Sequence, residues 1–176
     1  RRSSDLGITI GAHQYGRVID VNNGLDGEGP FSPERTGTLP SGALAKLCFS
    51  GKYQLHHIRK MITGQGGLVA YLGTNNAAEI EEKIEKGDTK CKFVYKAMAY
   101  QISKDIGAMS TVLKGDVDAI ILTGGLANSE LLVKWITNSV KFISKVEVYP
   151  GEDELQALAE NVFYAMKGDL PIKEYR

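Results

Sequence analysis

Three stretches of this chain combine residue types and spacing that could do chemistry. The first, Thr123-Gly124-Gly125-Leu126-Ala127-Asn128, follows a short apolar run and opens a helical pattern. Glycines let a backbone approach a ligand closely, and free N–H groups at a helix start favour phosphate. A plain strand-to-helix turn would use the same residues, and both readings stand. It is not a Walker loop, because no Gly-Lys-Ser/Thr follows, nor a dinucleotide fingerprint, because the third glycine is missing. The second stretch, Gly151-Glu152-Asp153-Glu154, sets three carboxylates at a helix start. They could serve Mg²⁺, which takes one or two carboxylates plus phosphate oxygens, or simply complement the helix dipole. The third is the loop from Asp26 to Gly37, Asp-Gly-Glu-Gly-Pro-Phe-Ser-Pro-Glu-Arg-Thr-Gly. A guanidinium on a rigid Gly/Pro loop suits oxyanion or phosphoryl recognition by a bidentate fork. The alternative is a solvated turn with Arg35 paired to Glu34 or Glu28. His13, His56 and His57 have no partners at metal or triad spacing and read as surface residues, while Met98 and Met109 read as core.

The surrounding elements must position these stretches. Residues 7–12 and 17–21 are β-branched and roughly alternating, so they predict a hairpin with His13–Gly16 as its loop. Residues 22–42 have no period and hold five glycines and three of the five prolines, a long loop of the kind that is usually functional or disordered. Leu44, Leu47 and Cys48 predict one face of a helix after Ser41, and Leu55, Ile58, Met61 and Ile62 another, ended by Gly64. Gly66 to Gly73 reads as a short buried strand or a glycine-bounded loop. Asn75 or Asn76 caps a helix to about Lys86, with Ile80 and Ile84 inward. A long helix over 89–114 carries Val94, Met98, Ile102, Ile106, Met109 and Leu113 as its core stripe. Residues 117–122 then predict a strand buried on both faces, 128–143 a helix, 146–149 a strand and 153–167 a last helix with Leu155, Leu158, Ala159, Val162 and Met166 inward. This order predicts one α/β domain with a mixed sheet. Ligands of open α/β sheets sit beyond the carboxyl ends of the strands, which puts Thr123–Gly125 and Pro150–Asp153 on one rim.

Composition narrows the partners. The 176 residues carry 21 Lys+Arg and 21 Asp+Glu, a net charge of zero, which argues against nucleic acid or an anionic membrane surface as partner. Two isolated cysteines, Cys48 and Cys91, read as reduced thiols of a cytoplasmic protein. No apolar run approaches the roughly 18 residues of a membrane span. Glycine, at 20 residues, is in excess over a usual share of about 7%. The excess concentrates at 24–42, 64–73 and 124–125, where backbone must turn tightly.

Several of these stretches together closely resemble the butyrate kinases. They are Gly7-Ile8-Thr9-Ile10-Gly11-Ala12-His13, Gly16–Asn23, Leu25–Gly37, Leu47–Tyr53, Gly67–Asn75, Met98–Ile102, the Gly124-Gly125 turn and Tyr149–Glu154. The resemblance runs from about Gly7 to Gly168, and the 26–37 loop is its most specific part. The turn at Gly124 is shared more widely, with acetate kinase and the actin-like ATPases.

The resemblance implies an α/β fold of the actin-like ATPase (ribonuclease H-like) class, with a mixed β-sheet and flanking helices. It implies reversible phosphoryl transfer between ATP and a short-chain fatty acid, giving acyl phosphate and ADP, with ATP and Mg²⁺ as cofactors. Residues 1–176 then correspond to the C-terminal actin-like nucleotide-binding domain of an acyl kinase, without the N-terminal domain. An isolated chain of that kind is expected to be inactive, and a cytoplasmic homodimer is expected. By the same resemblance Arg35 holds the transferred phosphoryl or the acyl carboxylate. Gly73, Gly124, Gly125, Leu126, Ala127 and Asn128 contact the nucleotide, and Glu152 and Asp153 serve the metal. Two departures stand out. Ser3-Ser4-Asp5-Leu6 replaces the family's His-Leu-Gly-Gly, and Asn76 and Ala78 replace an Asp and an Arg. A degenerate, non-catalytic nucleotide-binding or dimerisation module of the same fold is the alternative.

Overall fold

The structure, a computed structural model, describes residues 7–151 and 154–169, with the backbone alone at 154–158. Its first strands, β1 (Gly11–Gln14) and β2 (Arg17–Val21), pair antiparallel with a bulge between Ala12 and His13. The connecting turn is tighter than His13–Gly16. Only Tyr15 and Gly16 form it, both with positive φ (51° and 73°), the two-residue geometry that matches strand twist. His13 therefore lies in β1 rather than in the turn, and it is exposed as expected.

Six helices precede the last strand. They are α1 (Ser41–Cys48), α2 (Leu55–Ile62), α3 (Gly67–Leu72), α4 (Ala77–Glu85), α5 (Thr89–Val112) and α6 (Glu130–Val140). The segment at Gly66–Gly73 is helical, neither strand nor loop. Leu68 N–H and Val69 N–H, which have no partner inside a first helical turn, donate to Ser32 O and Pro33 O (3.0 Å each). A carbonyl pair on the neighbouring loop thus nucleates a turn that six residues could not hold alone. The expected inward face of α1 is not realised. No residue of α1 is buried, and Pro40 rather than Ser41 holds the N-cap position, with no side-chain cap.

The core stripe of α5 is realised at Val94, Met98, Ile102 and Ile106, all buried, with Met109 and Leu113 half-buried at a cavity wall. It packs on Leu132, Ile136 and Val140 of α6 and on Ile80 of α4. Asn76 caps α4 by accepting from Ala78 N and Glu79 N. Asp88 caps α5 by accepting from Cys91 N at 2.8 Å, and this bond holds the Asp88 carboxyl below its ordinary 3.8. A carboxyl depressed on folding stabilises the fold above its unfolded value and loses that contribution as pH falls through the lower folded value. The urea midpoint of the wild type should therefore drop below pH 4 by more than that of Asp88→Asn, measured from pH 5 to pH 2.

The parallel pair is β3 (Ile120–Gly124) and β4 (Val146–Pro150), in register from Ile120↔Val146 to Gly124↔Pro150. It begins three residues later than expected and is not buried on both faces. Ile120 is buried, but Ile121 is 62% exposed, because α5 and α6 cover one face only. The described strands form two separate two-stranded sheets, the antiparallel hairpin β1–β2 and the parallel pair β3–β4, so the two strand directions are not combined in one sheet. Between them lies a cavity of about 980 Å³, lined from Ile8–His13 across to Ile120–Gly124. One edge of the 8–10 segment is taken by a side chain. Asn22 Oδ1 accepts from Ile10 N (2.6 Å), and its Nδ2 donates to Ile8 O (3.2 Å) and Glu28 O (3.1 Å).

The last helix, α7 (Glu154–Lys167), does not bury its expected face over the described side chains. Val162 is 59% and Met166 81% exposed, while Leu155 and Leu158 lie outside the described side chains.

Candidate functional site

β3 delivers the chain to Gly124, whose φ of 83° and ψ of −179° belong to a region only glycine occupies without strain. A single turn of 3-10 helix, Gly125–Asn128, follows. Asn128 closes it by donating from Nδ2 to Gly125 O (3.0 Å), so this side chain is committed to the turn. Ser129 then caps α6, its Oγ accepting from Leu132 N at 3.0 Å. Gly124, Gly125, Leu126 and Ala127 all line the cavity, and a Cβ on Gly124 would meet nothing within 4 Å. A bare backbone turn facing open space is what a phosphate chain requires, and these residues fit one.

The shared rim is realised. Gly151 N donates to Gly124 O (3.2 Å), so the chain after β4 runs beside the turn. Glu152 and Asp153 come next but lie outside the described residues. Among the described residues, no three His, Cys, Asp or Glu side chains gather as a metal site.

The arginine loop is built from its backbone outward. Ser32 N donates to Arg35 O (3.0 Å), Gly64 N to Glu34 O (2.8 Å) and Thr36 N to Ile62 O (3.0 Å), and Arg35 bridges antiparallel to Thr63. These bonds fasten residues 32–36 between α2 and α3. The half-buried guanidinium donates from Nη1 to Gly24 O (2.5 Å) and lies over Gly7, where an added Cβ would sit 2.3 Å from Nη1. Gly7 itself lines the cavity. Arg35 itself does not line that cavity; its loop reaches the cavity through Pro33, and its guanidinium lies behind Gly7. The neighbouring acids serve the loop frame. Glu34 Oε1 accepts from Asn75 Nδ2 (2.5 Å), and Glu28 Oε2 accepts from Asn23 N (2.5 Å).

Gly73 does not line the cavity among the described residues. It is the left-handed C-cap of α3 (φ 75°), its N–H bonded to Val69 O. The two residues after Thr74 do line it. Asn75 and Asn76 form a wall with Ala77 at the start of α4. That corner is braced by Glu79, which accepts from Thr74 Oγ1 (2.8 Å) and pairs with Lys83, the ion pair holding its carboxyl below the ordinary range. Among the described residues, no Asp, Glu, Lys or Arg side chain lines the cavity, whose floor is aliphatic, from Ile102, Ile106 and Met109 to Leu132 and Ile136. An anion here would meet backbone N–H groups first.

Three positioning residues escaped sequence reasoning. They are Asn22, Asn75 and Gln101, whose Oε1 accepts from Phe31 N at 3.0 Å and pins the loop to α5. Gln101 does carry a signal, a polar residue set between Met98 and Ile102 in an apolar stripe. Asn22 only follows a strand and Asn75 reads only as a possible cap of α4, so neither pattern announces the bonds they make.

Comparison with solved structures supports this architecture. The chain is similar to an acetate kinase from Porphyromonas gingivalis (21% identity, TM-score 0.80), over 91% of this chain and 47% of that one. It is also similar to a propionate kinase from Francisella tularensis (21%, TM-score 0.76; 85% of this chain, 45% of that one). A third likeness is to an acetate kinase from Entamoeba histolytica (17%, TM-score 0.77; 89% and 48%). These likenesses show the fold, a mixed α/β fold of the actin-like class. The chain spans about half the length of each of these proteins. The family model for the acetokinase family matches residues 6–162, nearly the whole described chain, and the protein belongs to that family.

Proposed function

We propose that this chain is the nucleotide-binding, C-terminal half of a butyrate kinase, a cytoplasmic homodimer that moves a phosphoryl group between ATP and a short-chain fatty acid. The observation that carries the reading is the turn at Gly124–Ala127. It presents backbone to a cavity that no Asp, Glu, Lys or Arg side chain of the described residues lines, and Pro33 of the Arg35 loop lines the same cavity. In the reaction a carboxylate oxygen bonds to the γ-phosphorus while the bond to the β,γ-bridging oxygen breaks, leaving acyl phosphate and ADP. Such transfer rests on positioning and charge neutralisation more than on a covalent nucleophile. The Gly125–Ala127 amides would orient the nucleotide phosphates, and Arg35 would offset charge on the transferring group's equatorial oxygens. Mg²⁺, when bound, would neutralise phosphate charge, with Glu152 and Asp153 as the carboxylates to hold it. No helix of the described chain is long and apolar enough to cross a membrane.

One observation favours the alternative, a nucleotide-binding or dimerisation module without turnover. Asn76, in place of the family's acid, commits its side chain to capping α4. Hydroxylamine trapping of acyl phosphate separates the readings. The chain alone, with ATP and butyrate, should give no product. Adding the complementary half of a butyrate kinase should restore it, faster with butyrate than with acetate. Turnover by the chain alone would contradict the half-enzyme reading, and a preference for acetate would contradict the butyrate assignment.

A further inference from the structure

Tyr95, in the second turn of α5, is fully buried, yet its hydroxyl has work that a phenylalanine could not do. The O–H is shared between Glu81 Oε1 on α4 (3.0 Å) and Ser129 Oγ (3.2 Å). Ser129 in turn donates to Glu81 Oε1 (2.5 Å) and accepts from Leu132 N (3.0 Å). Three helices therefore meet in one polar knot, and Ser129 is the residue directly after the Gly125–Asn128 turn. Trp135 packs edge-on against the Tyr95 ring at 6.0 Å, which keeps the ring in place whether or not it bears a hydroxyl. Burial pushes the Tyr95 phenol above its ordinary value, so it stays a donor at any working pH.

The knot also joins the two sides of the cavity. Glu81 lies on the same helix as Ala77, whose preceding residues Asn75 and Asn76 line one wall, while Ser129 anchors the turn that lines another. We propose that Tyr95 and Glu81 are positioning residues for the Gly124–Ala127 turn, fixing through Ser129 the direction in which its amides face the cavity. Their effect on ligand affinity rests on the nucleotide reading above, whereas their effect on the turn does not.

The test is amide hydrogen exchange of the nucleotide-free chain, read separately over 124–133 and over the α5 core at 94–106, beside a Mg-ATP titration. Losing one net hydrogen bond corresponds to roughly a five- to tenfold change in local opening. Tyr95→Phe should speed exchange over 124–133 by about that factor and leave 94–106 within the change of the urea midpoint. Glu81→Ala should do the same, and Glu81→Gln, which keeps an acceptor oxygen, should recover part of the protection. Nucleotide affinity should fall about as far as local protection falls. Equal acceleration in both segments, or none over 124–133, would overturn the proposal and leave the knot as plain core. A wild-type chain that binds no nucleotide would contradict the proposed function only, and the exchange comparison would still decide this inference.

Discussion

Gly67→Ala is expected to lower stability by at least about 3 kcal/mol or to prevent folding. Two penalties combine at this position. Its φ is +56°, which costs a side-chain-bearing residue about 1–2 kcal/mol by itself. The larger penalty is contact, because a Cβ would sit 1.7 Å from Ser32 O and 2.7 Å from Arg35 O. Neither oxygen can retreat. Ser32 O accepts from Leu68 N, and the Arg35 carbonyl accepts from Ser32 N. Relief would have to pull α3 off the loop that carries Arg35. Gly73→Ala is the matched control. Its φ is +75° with nothing within 4 Å of the added Cβ, so strain alone remains, about 1–2 kcal/mol. Urea midpoints of both variants check this, and equal losses would show that α3 does not press on the loop as described.

Gly124→Val should cost roughly a hundredfold in Mg-ATP affinity, about 2.7 kcal/mol, while the helical core stays folded. An added Cβ meets nothing within 4 Å beyond its chain neighbours, so packing at that atom does not oppose it. What opposes it is the backbone, since φ 83° with ψ −179° is closed to valine. The residue must rotate, and the peptide that joins it to Gly125, a residue lining the cavity, rotates with it. The strand-end bond from Gly151 N to Gly124 O is disturbed as well. Displacement of a fluorescent ATP analogue reads the affinity, and far-ultraviolet circular dichroism reads the fold. Unchanged affinity in a folded variant would move the nucleotide away from this turn.

Local rules carried much of this architecture. The α5 stripe at Val94, Met98, Ile102 and Ile106 follows from helical period, and Asn76 and Asp88 cap as their side-chain chemistry predicts. The neighbouring ends of β3 and β4 follow from strand–helix–strand order, which brings Gly124 and Gly151 together. The misreadings have one source, which is contact between residues distant in sequence. Gly67–Leu72 is too short to be helical on local grounds and is helical because loop carbonyls 32 and 33 cap it. The Leu44 face of α1 and the Val162 face of α7 are amphipathic, but no partner within the described chain covers them. The site follows the same division. The turn at Gly124–Gly125 is legible because the φ of 83° at Gly124 is one that glycine supplies without strain. Asn22, Asn75 and Gln101 are not, because their role exists only where a distant backbone group arrives.

The most direct test is calorimetric titration of Mg-ATP into the chain as it stands. One site per chain is expected, with a dissociation constant no weaker than about a millimolar, weakened by Gly124→Val. No heat at several millimolar ATP, from a protein that melts cooperatively, would contradict it.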